Sequence, residues 1–598
     1  MKMNSHLNTA PFSRKNMLRA AVYVLLTSGC IVQATAAPDS KGTQNSEIVQ
    51  QKSITISGTV KDQSGEPIIG ANVFEKGTKN GIITDIDGNF KLTVRSNKSV
   101  LLISYIGYKQ QEVTIENLNG KKLTISLSED SKMIDDVVVI GYGTQRKGDV
   151  TSSVASVKAE NFTIGNIGDA AELVKGKIAG LSITKSSGDP NAESSILLRG
   201  INTLSGSVTP LVLIDGIPGG LGTVPPENIA SIDVLKDASA AAIYGTRGAN
   251  GVILITTKSG KRDEKTHVTY SAYASAANFY KEAEFMSAQD IRDGKTAFSD
   301  KGYDTDWVKA VTRTGFTQNH NINLSGGTKT TSYSADVSYR DSKGVIKRTD
   351  NQELKMSFDI SHWMLNDMVK VNFNLVKGIH KNSANNASDA GIANIYRQAV
   401  IHNPTAPIYY LDGSYYEDFN VFQYYNPVSM LEELKGNNKS ELTRMTGNVT
   451  IEPIKGWQTN LMVSTRSSFD ATSTYQTSNY FSCLTSGETG SAYKASGNSR
   501  TDQLELTSKY NKIFGQHRLD ALVGYSYQSS NNEGFSASNY DFPTDFYSYN
   551  NLYLGAALKD GHASMGSSQS ESKLIGFFGR LSYGYANKYN VLLSLRHD

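Results

Sequence analysis

The sequence predicts a mainly β protein in three parts. These are a small N-terminal β-sandwich of Ig-like or transthyretin-like type, a compact mixed α/β domain, and the first part of a large antiparallel transmembrane β-barrel. Three observations predict this. Residues 53–128 break into seven short β-prone runs separated by turn signals, and residues 160–260 mix helix-like with strand-like runs. From residue 267 onward, apolar and polar residues alternate with period two, and the connections between alternating segments are by turns long and short.

Residues 1–36 are laid out as a secretory signal peptide. Lys2, Arg14, Lys15 and Arg19 form a basic leader without an acid, Ala20 to Val32 form an apolar core, and Ala34-Thr35-Ala36 offers small residues for cleavage. That core is too short for a bilayer, which takes about 20 apolar residues, so the segment predicts export rather than an anchor. Without the four leader cations the net charge falls from +3 to about −1, and nothing argues for a nucleic-acid partner. Cys30 leaves with the leader, so Cys483 is the only mature cysteine and no intramolecular disulfide is possible. No later stretch approaches the length of a membrane helix, which leaves a barrel open because its strands are individually weak signals.

In the first part, ITISGTV, IIGANVF, GIITD, GNFKLTV, LLISYIGY, QEVTI and KLTISL predict a seven-stranded sandwich. DIDGN (85–89) resembles part of a calcium loop, but no bidentate glutamate follows where one is required. A β-hairpin turn is the expectation there. In the second part, IGDAAELVKGKIAG (167–180) and PPENIASIDVLKDASAAAIYG (225–245) read as helical, with LSITKSS, SSILLRG, PLVLIDG and NGVILITTKSG as strands. Gly200, Gly216, Gly245, Gly248 and Gly251, with Gly219 and Gly220, suit turns and close backbone approach. Arg199 and Arg247 are candidates for polar contact with the barrel wall, or for a solvated surface. YGTRGANG lacks the Gly-Lys-Ser/Thr of a phosphate loop and follows a helix-like run rather than preceding one.

In the third part, Tyr333, Ala335, Val337 and Tyr339 share one face, while Ser334, Asp336, Ser338 and Arg340 share the other. Leu354, Met356, Phe358 and Ile360, then Val369, Val371, Phe373 and Leu375, repeat the pattern. Strands of about ten residues with one apolar face suit lipid outside and water inside. A soluble sandwich alternates too, so the connections arbitrate. Residues 277–316, 379–440, 470–499 and 529–571 are long, the intervening ones are short, and DSKGVIKRTD (341–350) is intermediate at a long position. That parity belongs to outer-membrane barrels. About eleven strands are legible, and the last run, NVLLSLRHD, reads as unfinished. Since a barrel must close, the expectation is the N-terminal part of a longer protein; the alternative is a second half carried on another chain.

Between the first two parts stands DDVVVIGYGTQRKGDVTSS (135–153). Val137, Val138, Val139 and Ile140 make a strand-prone run, and the glycines and polar residues after it supply no evident hairpin partner. An unpaired strand is an aggregation hazard. It belongs to a flanking domain or awaits a partner.

The order of signal peptide, seven-strand module, DDVVVIGYGTQRKGDVTSSV and LLRGINTLSG…PLVLIDGIPGG…IASIDVLKDASAAAIYGTRGANGVILITTKSG resembles the SusC/RagA family of TonB-dependent outer-membrane transporters. By that resemblance, 53–128 is a carboxypeptidase-regulatory-like domain, 135–146 holds the TonB box, 150–262 is the plug, and 267–598 is a partial barrel. The plug and N-terminal domain are then expected on the periplasmic side of the outer membrane. The TonB-binding residues implied are Asp136, Val137, Val138, Val139, Ile140, Gly141, Tyr142 and Gly143, to which TonB adds as a neighbouring strand. Implied partners are TonB with the energised ExbB/ExbD inner-membrane complex, a SusD-like surface lipoprotein, outer-membrane lipid, and a glycan or peptide substrate. No cofactor and no metal are implied.

The run PIYYLDGSYYEDFNVFQYYNPVSM (407–430) falls on the outer side by parity. Tyr409, Tyr410, Tyr415, Tyr416, Tyr424 and Tyr425 are candidates to stack on a substrate, or to pack as a girdle or loop core. The function expected is TonB-dependent import of an oligosaccharide. The alternatives are a peptide importer, a non-transporting receptor or adhesin, and a signal-transducing receptor. No H-E-x-x-H, G-x-S-x-G or phosphate-loop pattern stands out, so no enzyme is expected.

Overall fold

The computed structural model describes residues 54–598 except 64, 79, 97, 106–107, 116–121, 129–136, 141–142, 147–152, 186–187, 202, 204–205, 238–241, 282–283, 297, 384–391 and 587. The signal peptide, Asp136, Gly141 and Tyr142 therefore lie outside the described residues. The chain divides into two units, Met1–Asp130 and Ser131–Asp598.

In the first unit every β-prone run forms a strand. These are β1 (Ile54–Lys61), β2 (Asn72–Glu75), β3 (Gly81–Ile83), β4 (Asn89–Val94), β5 (Val100–Ser104), β6 (Gln111–Thr114) and β7 (Leu123–Ser126). They make two sheets, ordered β4-β1-β7 and β3-β2-β5-β6. In β4, Phe90, Leu92 and Val94 are buried while the residues between them are exposed, as a half-buried strand requires. These three share a core with Ile56, Val60, Val73, Leu101, Ile103 and Ile125. At Gly58 a β-carbon would lie 2.6 Å from the Leu123 carbonyl oxygen and 2.8 Å from the Phe90 ring, so β1 can pass only as glycine. The DIDGN stretch is a turn, with the Asp85 carboxylate accepting from the N–H groups of Asp87 and Asn89 at 3.0 and 2.7 Å. It is not a hairpin, because β3 and β4 belong to different sheets.

The second unit opens with β8 (Val137–Ile140) and β9 (Gly143–Arg146). A mixed domain follows: β10 (Val154–Lys158), β11 (Leu181–Lys185), β12 (Ser194–Leu198), β13 (Leu211–Ile214), β14 (Ile217–Pro218), β15 (Ile229–Leu235) and β16 (Val252–Thr257). Its main sheet runs β10-β15-β16-β13-β14, and β11 and β12 pair separately. Both expected helices are corrected. Within 167–180 only the 3-10 turn Glu172–Val174 forms, because Gly176 and Gly180 take positive φ of 75° and 80° and end any helix. Within 225–245, IASIDVL is strand β15. Its β-branched residues lie between β10 and β16, and Ile232 and Val234 fill the domain core. Strand partners on both sides override a locally helix-like pattern.

Eleven strands complete the unit. They are β17 (His267–Ala277), β18 (Gly315–Gly327), β19 (Thr331–Lys343), β20 (Asp350–Met364), β21 (Val369–Ser383), β22 (Leu434–Ile454), β23 (Trp457–Gln476), β24 (Ser491–Phe514), β25 (His517–Tyr540), β26 (Ser564–Tyr585) and β27 (Tyr589–His597). Each pairs antiparallel with its sequence neighbours in one continuous sheet. The expected alternation of long and short connections holds throughout, with the 344–349 connection the intermediate case. Strand length is corrected: β22 to β26 run to 20–24 residues, about twice what a bilayer-spanning strand needs. Polar stretches such as 434–440 and 529–540 join the ladder because their neighbours are there to pair with.

Burial in this sheet is inverted relative to a soluble sandwich. Along β19 the buried residues are Ser332, Ser334, Asp336, Ser338, Arg340 and Ser342, whereas Val337 and Tyr339 are exposed. Phe358, Met445, Val463, Leu506, Val523, Phe577 and Leu595 are likewise exposed. A water-soluble protein would not leave that apolar band uncovered; a wall with lipid outside and a polar filling inside accounts for it. No helix among the described residues is long and apolar enough to cross a membrane.

Candidate functional site

The polar face of the wall grips the mixed domain through arginines. Arg340 on β19 donates to the Ile167 carbonyl and, at 2.9 Å, to Asn166 Oδ1. Arg444 on β22 donates to the Ile214 carbonyl at 3.4 Å and to Asn374 Oδ1 at 3.3 Å. Arg596 on β27 donates to the Ile243 carbonyl at 3.1 Å and to Ser526 Oγ at 3.0 Å. Three buried wall cations thus each hold a main-chain carbonyl of the inner domain. Charge-assisted bonds of this kind are among the stronger ones in proteins.

Around Arg444 the contact is also ionic. Asp215 lies 4.0 Å away, in a turn where its φ is +51°, and its carboxylate accepts from the N–H and hydroxyl of Thr257 at 2.9 Å each. Asn319 reaches Glu227 at 2.7 Å, and Asn228 reaches Ser357 at 3.0 Å. Of the two plug arginines considered from sequence, Arg247 meets the wall at Gln528 Oε1, 2.9 Å away, whereas Arg199 pairs with Asp237 inside its own domain. Sequence reasoning misses the wall arginines; the available signal is an isolated arginine on the polar face of an alternating strand.

Between this domain and the wall lies a polar cavity of about 900 Å³, lined by Asp169, Lys185, Glu193, Arg247, Glu353, Lys355 and His380 among others. Glu353 and His380 lie near the ends of β20 and β21 that meet the 344–349 and 384–433 connections, so the cavity is on that side of the domain.

The plug glycines occupy turns. Gly200, Gly216, Gly245 and Gly251 take φ of 120°, 87°, 66° and 86°. Gly248 has no such φ; its carbonyl accepts the Gly251 N–H at 2.9 Å to close the turn.

The long connections fold together into a layer with its own core. Trp307, Val311, Ile395, Ala399, Val428, Met430, Leu431, Phe481 and Cys483 are buried there. His402 is stacked 4.0 Å from Tyr424 and lies 4.6 Å from Trp307. Burial pushes its imidazole down to about 4, although a hydrogen bond to the Gln398 carbonyl pulls the other way.

The six candidate tyrosines separate into two groups. Tyr424 is buried and its hydroxyl accepts the Asn403 N–H at 2.7 Å; Tyr425 stacks on Phe481 at 4.0 Å. Tyr424 is thus a packing residue, a correction to the ligand reading there, whereas Tyr425 is only partly buried against that core. They precede Asn426, which caps the helix Pro427–Glu432, and the chain must enter that buried helix through them. Tyr409 and Tyr410, with Tyr415 and Tyr416, flank a tight turn at Gly413 and pair ring to ring, with centroids 5.1 and 5.2 Å apart. Tyr409 and Tyr410 are 43% and 46% exposed. Tyr415 and Tyr416 are partly buried against the loop core, so Tyr409 and Tyr410 carry the accessible part of this aromatic cluster.

Glu417, next along the chain, is largely buried, with Oε2 accepting the Asn426 N–H at 3.0 Å and the buried Oε1 without a partner among the described residues. Burial raises its carboxyl from 4.5 to about 7, against the Asn426 and Ser429 hydrogen bonds. The folded form therefore binds a proton that the unfolded form has released between those two values. Stability of the loop layer should fall as pH rises from about 4.5 to 7 and then level off. In Glu417→Gln that slope should vanish in protease-sensitivity measurements on intact cells; an unchanged slope would assign it elsewhere.

The run Val137–Ile140 is not an unpaired strand. It forms a hairpin with Gly143–Arg146, in register Val137↔Arg146 to Ile140↔Gly143. The two intervening residues are the commonest hairpin spacing, which the polar composition of β9 obscures in the sequence. These strands belong to neither sandwich sheet, and Cα atoms of β8 come within 8 Å of β15.

The chain matches the CarboxypepD_reg-like domain family over residues 56–139 and the TonB-dependent Receptor Plug Domain family over 146–252. It is 30% identical over 589 residues to the TonB-dependent receptor SusC of Bacteroides thetaiotaomicron, covering 91% of this chain and 56% of that one. It is 31% identical over 574 residues to the TonB-dependent receptor P3 of Formosa agariphila, covering 92% and 55%. The fold resembles the RagAB peptide importer in its open-open state, with a TM-score of 0.66 at 24% identity over 77% of this chain and 56% of that one. The chain spans about half the length of the curated relatives it matches. By these relationships the chain belongs to the SusC/RagA-type TonB-dependent receptors.

Proposed function

We propose that the protein imports an oligosaccharide across the outer membrane, driven by TonB and assisted by a SusD-like surface lipoprotein. The observation that carries this reading is the plug held by main-chain contacts inside a wall whose apolar face is turned outward. Such a pore is closed at rest and must be opened by work from outside the barrel. TonB with ExbB/ExbD supplies that work through Val137–Gly143, and the short connections face the periplasm. No catalysis enters the scheme.

The Tyr409–Tyr415 and Tyr410–Tyr416 ring pairs supply flat apolar faces beside the exposed Asp412, the surface chemistry that a sugar ring with its hydroxyls fits. A peptide is the second reading, favoured by the fold likeness to a protein described as a peptide importer. Cells carrying the gene should take up labelled oligosaccharide only while the proton gradient is intact. Tyr409→Ala with Tyr410→Ala should weaken surface capture about tenfold, or about 1.4 kcal/mol. Energy-dependent uptake of peptide but not glycan would select the second reading; neither uptake would overturn import.

A further inference from the structure

We propose that Lys377, Lys381 and Lys439, on the lipid-facing side of β21 and β22, bind the phosphate of a phosphorylated glycolipid in the outer leaflet of the membrane. This rests on the reading above in which the short connections face the periplasm and the long ones face outward. On β21 the outward side chains run Phe373, Leu375, Lys377, Ile379 and Lys381 towards a long connection. On β22 they run Met445, Thr443, Glu441 and Lys439 towards the same end. Leu375 pairs with Met445 and Lys377 with Thr443, so the first lysine stands one outward position past the apolar band.

Lys381 lies directly opposite Lys439 in the ladder. Side chains so placed have Cβ atoms about 4.5–5.5 Å apart, and like charges there destabilise the pairing. The partners that flank them in the same row are Gln352 on β20 and Ala471 on β23, so the row carries no carboxylate. Glu441 is the acid beside them, and it is already shared: Lys439 pairs with one of its oxygens and Lys377 with the other at 2.7 Å. Among the described residues, the exposed Lys381 has no carboxylate partner. Outward cations on β24 and β26 instead come with an acid of their own, Arg500 with Asp502 at 3.0 Å and Lys573 with Glu571 at 2.8 Å.

Two ammonium groups held face to face, with a third nearby, suit an anion that offers several oxygens. The apolar surface directly below makes that anion a lipid headgroup rather than a free ion. Acyl chains laid along Phe373, Leu375 and Met445 bring an attached phosphate to the level of the lysines, whose long stems let the charged ends follow it. Gln352 adds a neutral hydrogen-bonding group beside Lys381 for a sugar hydroxyl.

The test uses the protein as its native gene encodes it, purified in neutral detergent. Binding of diphosphoryl lipid A, dephosphorylated lipid A, phosphatidylglycerol and inorganic phosphate is measured for the wild type and for Lys381→Gln with Lys439→Gln. The double variant should bind diphosphoryl lipid A about tenfold more weakly or worse, with the dephosphorylated form unchanged. A smaller loss, or an equal loss for the dephosphorylated lipid, overturns the proposal. So does wild-type affinity for inorganic phosphate or phosphatidylglycerol that matches or exceeds that for diphosphoryl lipid A. If the double variant does not fold, Lys381→Gln alone leaves both Glu441 pairs in place and should lose about fivefold; a smaller loss is again fatal. Without lipid, Lys381→Gln should unfold at the same or a higher temperature than the wild type, because it relieves repulsion. A lower midpoint would mean that Lys381 is already neutralised within the protein, which overturns the site. An epitope inserted after Gly413 and detected by antibody on intact cells tests the orientation separately. Lost lipid binding with an accessible epitope fails the lipid site alone, whereas an inaccessible epitope fails the import reading beneath it.

Discussion

Replacing Val137–Ile140 with Gly-Ser-Gly-Ser is expected to abolish energised uptake and to leave substrate capture at the cell surface unchanged. The replacement keeps chain length, so only strand-forming capacity is lost. A partner strand holds β8 by main-chain hydrogen bonds and by alternate side chains, and glycine-serine supplies neither rigidity nor apolar surface. Force applied at β8 next meets β10, an edge strand of the plug sheet paired only with β15, from Val154↔Leu235 to Lys158↔Ser231. Further along the chain comes the first wall clamp, Arg340 on Ile167 and Asn166. The handle thus precedes a strand at one edge of the plug sheet. Uptake at more than about a tenth of the normal rate in the replaced protein would mean that work enters elsewhere.

The second large effect is expected at Arg444. In Arg444→Ala, the Ile214 carbonyl and Asn374 lose a buried donor and Asp215 loses its cation, while no water-filled route replaces them at once. Removing one partner of a buried charged contact costs about 3–5 kcal/mol. The 4.0 Å separation from Asp215 places this case at the lower end. A loss of about 3 kcal/mol weakens plug docking about a hundredfold, and large hydrophilic antibiotics that the outer membrane normally excludes should leak inward. Hydrogen exchange of the β13–β14 turn should quicken in parallel. Arg444→Lys should recover only part of the loss, because one ammonium cannot reach two acceptors with guanidinium geometry. Asp215→Asn should be milder than either, since the Thr257 contacts need an oxygen acceptor rather than a charge. Wild-type exclusion and exchange in Arg444→Ala would show that the plug is held by the remaining contacts.

Several features are legible in the amino-acid sequence because they are local. The period-two pattern of β19 to β21 depends only on successive side chains pointing to opposite faces, and it locates the wall and its polar side. The seven strands of the first unit are marked by their turns. The parity of long and short connections follows from counting. Of the site, the β8 run and the aromatic cluster are both visible, yet each is more than its residues alone suggest. Val137–Ile140 has its own neighbour in β9, Tyr424 is core and Tyr425 packs against that core.

Tertiary structure decided what a backbone or a ring pairs with. IASIDVL is a strand because β10 and β16 flank it, although its spacing suits a helix. β22 to β26 run on past the apolar band because each has a neighbour to bond with. The grip on the plug is made by Arg340, Arg444 and Arg596, each reaching a carbonyl more than a hundred residues away in the chain. Main-chain carbonyls are present at every residue and leave no mark in the sequence, so only the folded arrangement could select these three.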